Sequence, residues 1–173
     1  MKSMRAGLVA GVLGAYVFVA QAAQETYVYA PTHGPSCDDR SREGFNQWRC
    51  PGPVGYVAEY MDEGNIAGIA IWRPNAQRAS SHAVSWRGAG RVFGEKLEWR
   101  LREGHPHAAI LRIWRLVTDA NGRDHEFEEL MILKIAPSGA CRVASVNARQ
   151  PQANEIAQRM SDGAATAPCV TEP

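Results

Sequence analysis

The sequence predicts an α+β domain: a mainly antiparallel β-sheet with one C-terminal α-helix, bridged by disulfides. Three observations carry this. Leu97–Leu101 alternates apolar with charged residues, as a half-buried strand does. Asn121-Gly122 separates two long apolar stretches, the strongest short hairpin signal. Ala153, Ile156, Ala157 and Met160 then switch the period from that of a strand to that of a helix.

The chain opens with an export-like leader. Lys2 and Arg5 precede an uncharged apolar run of 15 residues, Ala6 to Ala20, and Ala20-Gln21-Ala22 gives a small-x-small cleavage pattern. A membrane-spanning helix needs roughly 20 such residues, so the run reads as a signal peptide over 1–23. Residues 24–163 are expected as a single globular domain and 164–173 as a C-terminal tail. The formal charge of +1 becomes −1 without Lys2 and Arg5. So even a balance points to neither nucleic acid nor an acidic membrane surface. No membrane anchor is expected after cleavage, and a monomer in the periplasm or secreted medium is the expectation.

The elements follow in order. Ala30 to Gly55 is rich in Pro, Gly and polar residues and reads as irregular, with a short strand at Asn46–Arg49. Tyr56–Tyr60 and Ile66–Trp72 read as strands joined by a hairpin loop at 61–65. Pro74 ends the second. Residues 74–95 are small and polar, with a short strand at Ala83–Trp86. Ala108–Val117 and Glu126–Ile135 form the strongest hairpin. With Asn121 and Gly122 as a two-residue loop, Arg115 is expected opposite Glu128, Ile113 opposite Leu130 and Leu116 opposite Phe127. Cys141–Arg149 is a further strand. Pro151–Asp162 is the helix, with Pro151 in its first turn and Gly163 as its cap.

Cys37, Cys50, Cys141 and Cys169 form an even set in an exported chain, which implies two bridges. Three pairings are open. Cys37–Cys50 and Cys141–Cys169 are favoured because each pair is close in sequence and flanked by turn residues. Each bridge would contribute about 3 to 3.5 kcal/mol by constraining the unfolded chain. Zinc would need close ligand pairs such as C-x2-C, and the sequence has none.

Few motifs suggest chemistry. Every tryptophan precedes an arginine: Trp48-Arg49, Trp72-Arg73, Trp86-Arg87, Trp99-Arg100 and Trp114-Arg115. On a strand, an inward Trp turns its Arg outward, where it either pairs with a nearby Glu or meets an anionic partner. His105-Pro-His107 could present two imidazoles, but no third metal ligand stands at a recognisable spacing. No G-x-S-x-G, H-E-x-x-H or Gly-rich phosphate loop is present. No catalytic residue, metal or cofactor is therefore assigned. A pair of glycosidase carboxylates need not be close in sequence and would escape such a search.

Some residue blocks form a recognisable set: Cys37, Trp48-Arg-Cys-Pro-Gly-Pro-Val-Gly-Tyr56, Asp62-Glu-Gly-Asn65, Gly94-Glu-Lys-Leu-Glu-Trp-Arg100, Leu130-Met-Ile-Leu-Lys-Ile135, Cys141 and Asn154-Glu-Ile-Ala-Gln-Arg159. Together they resemble an uncharacterised family of small exported bacterial proteins, over about residues 36 to 163. The resemblance implies cysteines at Cys37, Cys50 and Cys141 and brings no activity, ligand or catalytic residue.

The expected function is an exported, non-catalytic binding or inhibitory module of the bacterial cell envelope, with an unknown envelope protein or glycan as partner. Trp48, Tyr56, Asp62 and Asn65 are its candidate binding residues, on and beside a loop clipped by Cys37–Cys50. The alternative is a small periplasmic enzyme acting on a glycan or ester.

Overall fold

The computed structural model describes residues 25–76 and 84–170. The expected leader over 1–23, Ala83, Ser80, Ser81 and His82 lie outside the described residues. Among those described, no helix is long and apolar enough to cross a membrane.

The chain is a mainly antiparallel sheet with one helix near its C-terminus and two disulfides, as the sequence predicts. The strands are β1 (Glu25–Pro31), β2 (Asp38–Asp39), β3 (Asn46–Pro51), β4 (Val57–Glu63), β5 (Ile66–Trp72), β6 (Val84–Arg102), β7 (His105–Thr118), β8 (Asp124–Ala136) and β9 (Gly139–Asn147). The helix α1 spans Ala153–Asp162. From β2 to β9 the strands form a meander in sequence order, and β1 pairs with β6 off this path.

β6 is the element that folds the sheet over. Its first residues, Val84 to Arg87, pair with β5, whereas Lys96 to Arg102 pair with β1 and Leu97 to Arg102 also with β7. Between these parts the register with β7 shifts at Gly88/Phe93 and again at Phe93/Leu97. Such bulges bend a strand and raise its twist. Gly94 permits the close approach, since a Cβ there would lie 2.9 Å from Cβ of Arg112. One 19-residue strand thus replaces the two short strands expected at Ala83–Trp86 and Leu97–Leu101. The glycines and bulges erase the alternation that would have joined them.

The folded sheet encloses the main core. Tyr60, Ile69 and Ile71 from one half meet Leu97, Trp99, Leu111, Ile113, Met131 and Leu133 from the other, all essentially inaccessible. On the outer face of β7–β9 a second cluster joins Ala108, Ile110, Leu130, Ile132 and Val146 to Ala153, Ala157 and Ala164. Alanines on the helix let its backbone approach the sheet. Met160, expected on the buried face of α1, is exposed at 43%, and Ala164 beyond the helix is buried instead.

The β7–β8 hairpin exists, with its register one residue from the expected one. Thr118 pairs with Asp124, Ile113 with Glu129 and Arg115 with Phe127. The loop is longer because Asp119 organises it. Its N–H bonds Arg123 O, its C=O accepts from Gly122, and its carboxylate accepts from the N–H groups of Asn121 and Arg123. Ala120, Asn121 and Gly122 form a three-residue loop, with Gly122 at φ 76° in the left-handed region. Arg115 therefore bonds Glu129, and Arg112 bonds Glu128.

The loop expected at 61–65 is shorter. Glu63 pairs with Ile66, so only Gly64 and Asn65 turn, and Asp62 lies within β4. Pro151 precedes α1 rather than entering it, with Gln152 as the N-cap residue. Residues 164–170, read from composition as a tail, are anchored. Val170 N donates to Arg142 O at 2.7 Å, Lys134 donates to Ala167 O, and Cys169 is bonded to Cys141. Cys37 is bonded to Cys50, so both favoured pairings are present.

Candidate functional site

The residues expected to bind do not converge. Trp48 is half-buried in β3 beside the His33 ring at 5.9 Å, and it contributes to the main core. Tyr56 is buried, its ring 6.1 Å from that of Trp99 and under the Arg73 guanidinium at 5.5 Å. Asp62 is half-buried in β4 opposite Asn46 and Ala67, and Asn65 is exposed at the turn. Tyr56 precedes the first residue of β4 and Asn65 follows its last. A seven-residue strand, about 23 Å at the usual rise, separates them.

The Trp-Arg steps resolve mainly into ion pairs. Arg49 bonds Glu59, Arg87 bonds Asp124 and Arg115 bonds Glu129. Arg73 reaches Val54 O and covers the Tyr56 ring. Arg100 departs from the expected solvated position: it is 7% exposed, and it pairs with Glu98 and with Asp162 of α1. The helix roofs that stretch of the sheet, which sequence periodicity within β6 could not reveal.

His107 lies 2.9 Å from Glu25, which also pairs with Arg102, while His105 is exposed. Burial alone would raise the Glu25 carboxyl, but hydrogen bonds and charge from Arg102 and His107 outweigh it and hold it below its ordinary value. Among the described residues no group of three or more His, Cys, Asp or Glu side chains is arranged to hold a metal.

The concave surface lies elsewhere. In β6, Leu97, Trp99 and Leu101 face the core, so Lys96, Glu98, Arg100 and Arg102 face outward. β1 adds Tyr29 to that outer face, β7 adds Ile110, Arg112 and Trp114, and α1 adds Asn154 and Gln158 along one side. Three adjoining depressions result. Lys96 lines all three, and Tyr29, Glu95 and Arg112 line two each. Together they form a groove along the edge of the helix.

The groove floor is electrically balanced. The Glu98 carboxylate accepts from Tyr29 Oη at 3.0 Å, Arg100 at 3.2 Å and the Gln158 amide at 3.1 Å. Burial first, then the neighbouring Glu98 charge, raises the Tyr29 phenol above its ordinary pKa. Arg112 is held by Glu128, and Arg91 pairs with Glu95 at 2.9 Å while lying 5.4 Å from the Trp114 ring. Burial would raise the Glu128 carboxyl, yet Arg112 and Arg149 outweigh it and lower it.

Lys96 is different. Its ammonium stands 5.9 Å from the Tyr29 ring centroid, and no carboxylate lies within ion-pair distance of it among the described residues. The groove thus presents an unneutralised cation, the rings of Tyr29 and Trp114, and the exposed amide of Asn154. Its members come from four separate elements. The one sequence signal for it was the alternation that turns Lys96 and Arg100 away from the core. No protein-family model, curated protein or solved structure matches the chain.

Proposed function

We propose that the protein is an exported, non-catalytic binding module of the bacterial cell envelope, and that it holds a carboxylate-bearing glycan in the groove beside α1. The observation that carries this reading is Lys96, a cation without a carboxylate partner among the described residues, at the meeting point of three depressions. An ammonium there suits a sugar carboxylate, aromatic rings suit the apolar face of a pyranose, and Asn154 suits hydroxyl groups. The carboxylates that line the groove are engaged, Glu95 by Arg91 and Glu98 by Arg100 and Gln158, as is Glu128 behind them, by Arg112 and Arg149. That arrangement favours binding over acid–base turnover.

The leader at 1–23, the absence of free cysteines among the described residues and the two disulfides support work in the periplasm or outside the cell. The test is calorimetric titration with soluble muramic-acid-containing wall fragments and, as the neutral counterpart, N-acetylglucosamine oligomers. The acidic fragments bind and lose affinity as salt rises, and Lys96→Glu weakens them by tenfold or more. Equal affinity for neutral and acidic oligomers, or an unaffected Lys96→Glu variant, overturns the reading.

A further inference from the structure

Three edge strands, β1, β2 and β9, stand out, and two of them are protected within the chain. β9 is crossed by residues 164–170, fastened by the Cys141–Cys169 bridge and by the hydrogen bond from Val170 N to Arg142 O. β2 is only two residues long, carries Asp38 and Asp39, and leads into Arg40. Short, charged edges and covered edges are the usual protections against pairing with another strand.

β1 has neither protection. It is seven residues long and pairs with β6 alone. Among the described residues, Thr26 to Tyr29 make no backbone hydrogen bond outside that ladder. The middle of the strand is Thr26-Tyr27-Val28-Tyr29, without charge or proline, and Tyr27, Val28 and Tyr29 are 53%, 40% and 55% exposed. Val28 is registered with Trp99, which is wholly buried. It therefore sits on the core-facing side of the sheet while remaining open at the rim.

We infer that β1 pairs antiparallel with β1 of a second copy about a two-fold axis through Val28, joining two sheets into one. The sequence of the strand is self-complementary in that register. Val28 meets Val28, Tyr27 meets Tyr29, and Thr26 meets Ala30 of the second copy. Aromatic and β-branched cross-strand pairs stabilise an antiparallel ladder, and no like charges stand opposite one another. The flanking rows are complementary as well. Because Arg100 is registered with Tyr27 and Glu98 with Tyr29, the central row runs cation, aromatic, aromatic, anion across the junction. Glu25 beside Arg102 in one copy faces the end of β1 where Lys96 is registered with Pro31 in the other. The Val28 pair extends each core layer past Trp99, and the two grooves come to lie on one continuous face. A two-fold contact of this kind uses the same patch on both subunits. The strand is short, so the dimer forms in a concentration-dependent way. The pairing does not depend on what the groove holds.

The experiment is disulfide trapping in the full chain, where an added cysteine is the sole thiol among the described residues. Facing residues of an antiparallel pair have Cα atoms about 4.5 to 5.5 Å apart, within the span of a disulfide. Val28→Cys is expected to form a covalent dimer under mild oxidant at least tenfold faster than Ile66→Cys, at a more exposed position elsewhere (52% against 40%). Thr26→Cys alone gives little dimer, whereas a mixture of Thr26→Cys and Ala30→Cys gives the mixed dimer. Sedimentation of the wild type shows a monomer–dimer equilibrium that Val28→Lys abolishes. A Val28→Cys variant that cross-links no faster than Ile66→Cys overturns the inference. So does Thr26→Cys self-linking as fast as Val28→Cys, or a wild type that stays monomeric at all concentrations.

Discussion

Gly52 lies against the indole of Trp99 so closely that a Cβ at residue 52 would stand 2.4 Å from Cζ2 and 2.8 Å from Cη2. This contact ties the segment clipped by Cys37–Cys50 to the centre of the core, because Trp99 is wholly buried between the two halves of the sheet. An indole held on all sides cannot swing away, so the added methyl must displace either backbone or ring. Gly52→Ala is expected to lower stability by about 1 to 3 kcal/mol. Gly139→Ala, with open space around it, should change stability by less than about 0.5 kcal/mol. Urea denaturation of the two variants, compared at equal m-values, checks the contrast.

The two bridges close loops of different length, with sequence separations of 13 and 28. Replacing Cys37 and Cys50 together by alanine should cost about 3 kcal/mol, and the Cys141 and Cys169 pair about 3.5 kcal/mol. Their local effects differ more than their energies. Loss of the second bridge frees residues 164–170 from β9, so amide exchange should accelerate at Val170 while β3 and β4 stay protected. Loss of the first should do the reverse. Hydrogen exchange read by mass spectrometry distinguishes the two.

Tyr60 is fully buried, and its hydroxyl has no hydrogen-bond partner among the described residues. Burial alone pushes its phenol far above the ordinary value. An unsatisfied buried hydroxyl costs stability, and removing it leaves the ring contact with Phe93, at 5.4 Å between centroids, in place. Tyr60→Phe should therefore be neutral or stabilising by about 1 kcal/mol. A loss of more than about 1 kcal/mol would mean that the hydroxyl has a partner in solution, a buried water being the simplest.

Acid should weaken the fold through Glu25 and Glu128. Both carboxyls titrate below their ordinary value of 4.5 in the folded chain. The unfolded state then takes up protons at a higher pH than the native one, so their contribution is complete above the unfolded value and declines as pH falls through the lowered folded values. The urea midpoint should drop as the pH falls below about 4.5, and Glu128→Gln should flatten that drop. A midpoint unchanged down to about pH 3 would contradict the roles given to Arg102, His107, Arg112 and Arg149.

Local pattern carried the fold class further than it carried the site. Alternation marked Leu97–Leu101, the helical period marked α1, and cysteine spacing marked both bridges, because each signal lies within a short stretch. β1 left no such mark, since Tyr27, Val28 and Tyr29 are all exposed and no apolar alternation runs through them. The hairpin register slipped by one because the Asp119 carboxylate, rather than Asn121-Gly122 alone, decides the loop. The candidate residues Trp48 and Tyr56 were chosen for a disulfide-clipped loop, yet Trp99 and the core claim their rings. The groove needs Tyr29, Lys96, Arg112 and Asn154 together, a span of 125 positions that only the bend in β6 and the docking of α1 bring into one place.

The most direct measurement is a backbone amide NMR titration of the folded, disulfide-intact protein with a muramic-acid-containing glycan fragment. Occupancy of the groove predicts shifts confined to Tyr29, Lys96, Arg112, Trp114 and Asn154, shrinking in Lys96→Glu. Shifts centred instead on Trp48, Tyr56 and the Gly64-Asn65 turn, or none at saturating fragment, would contradict it.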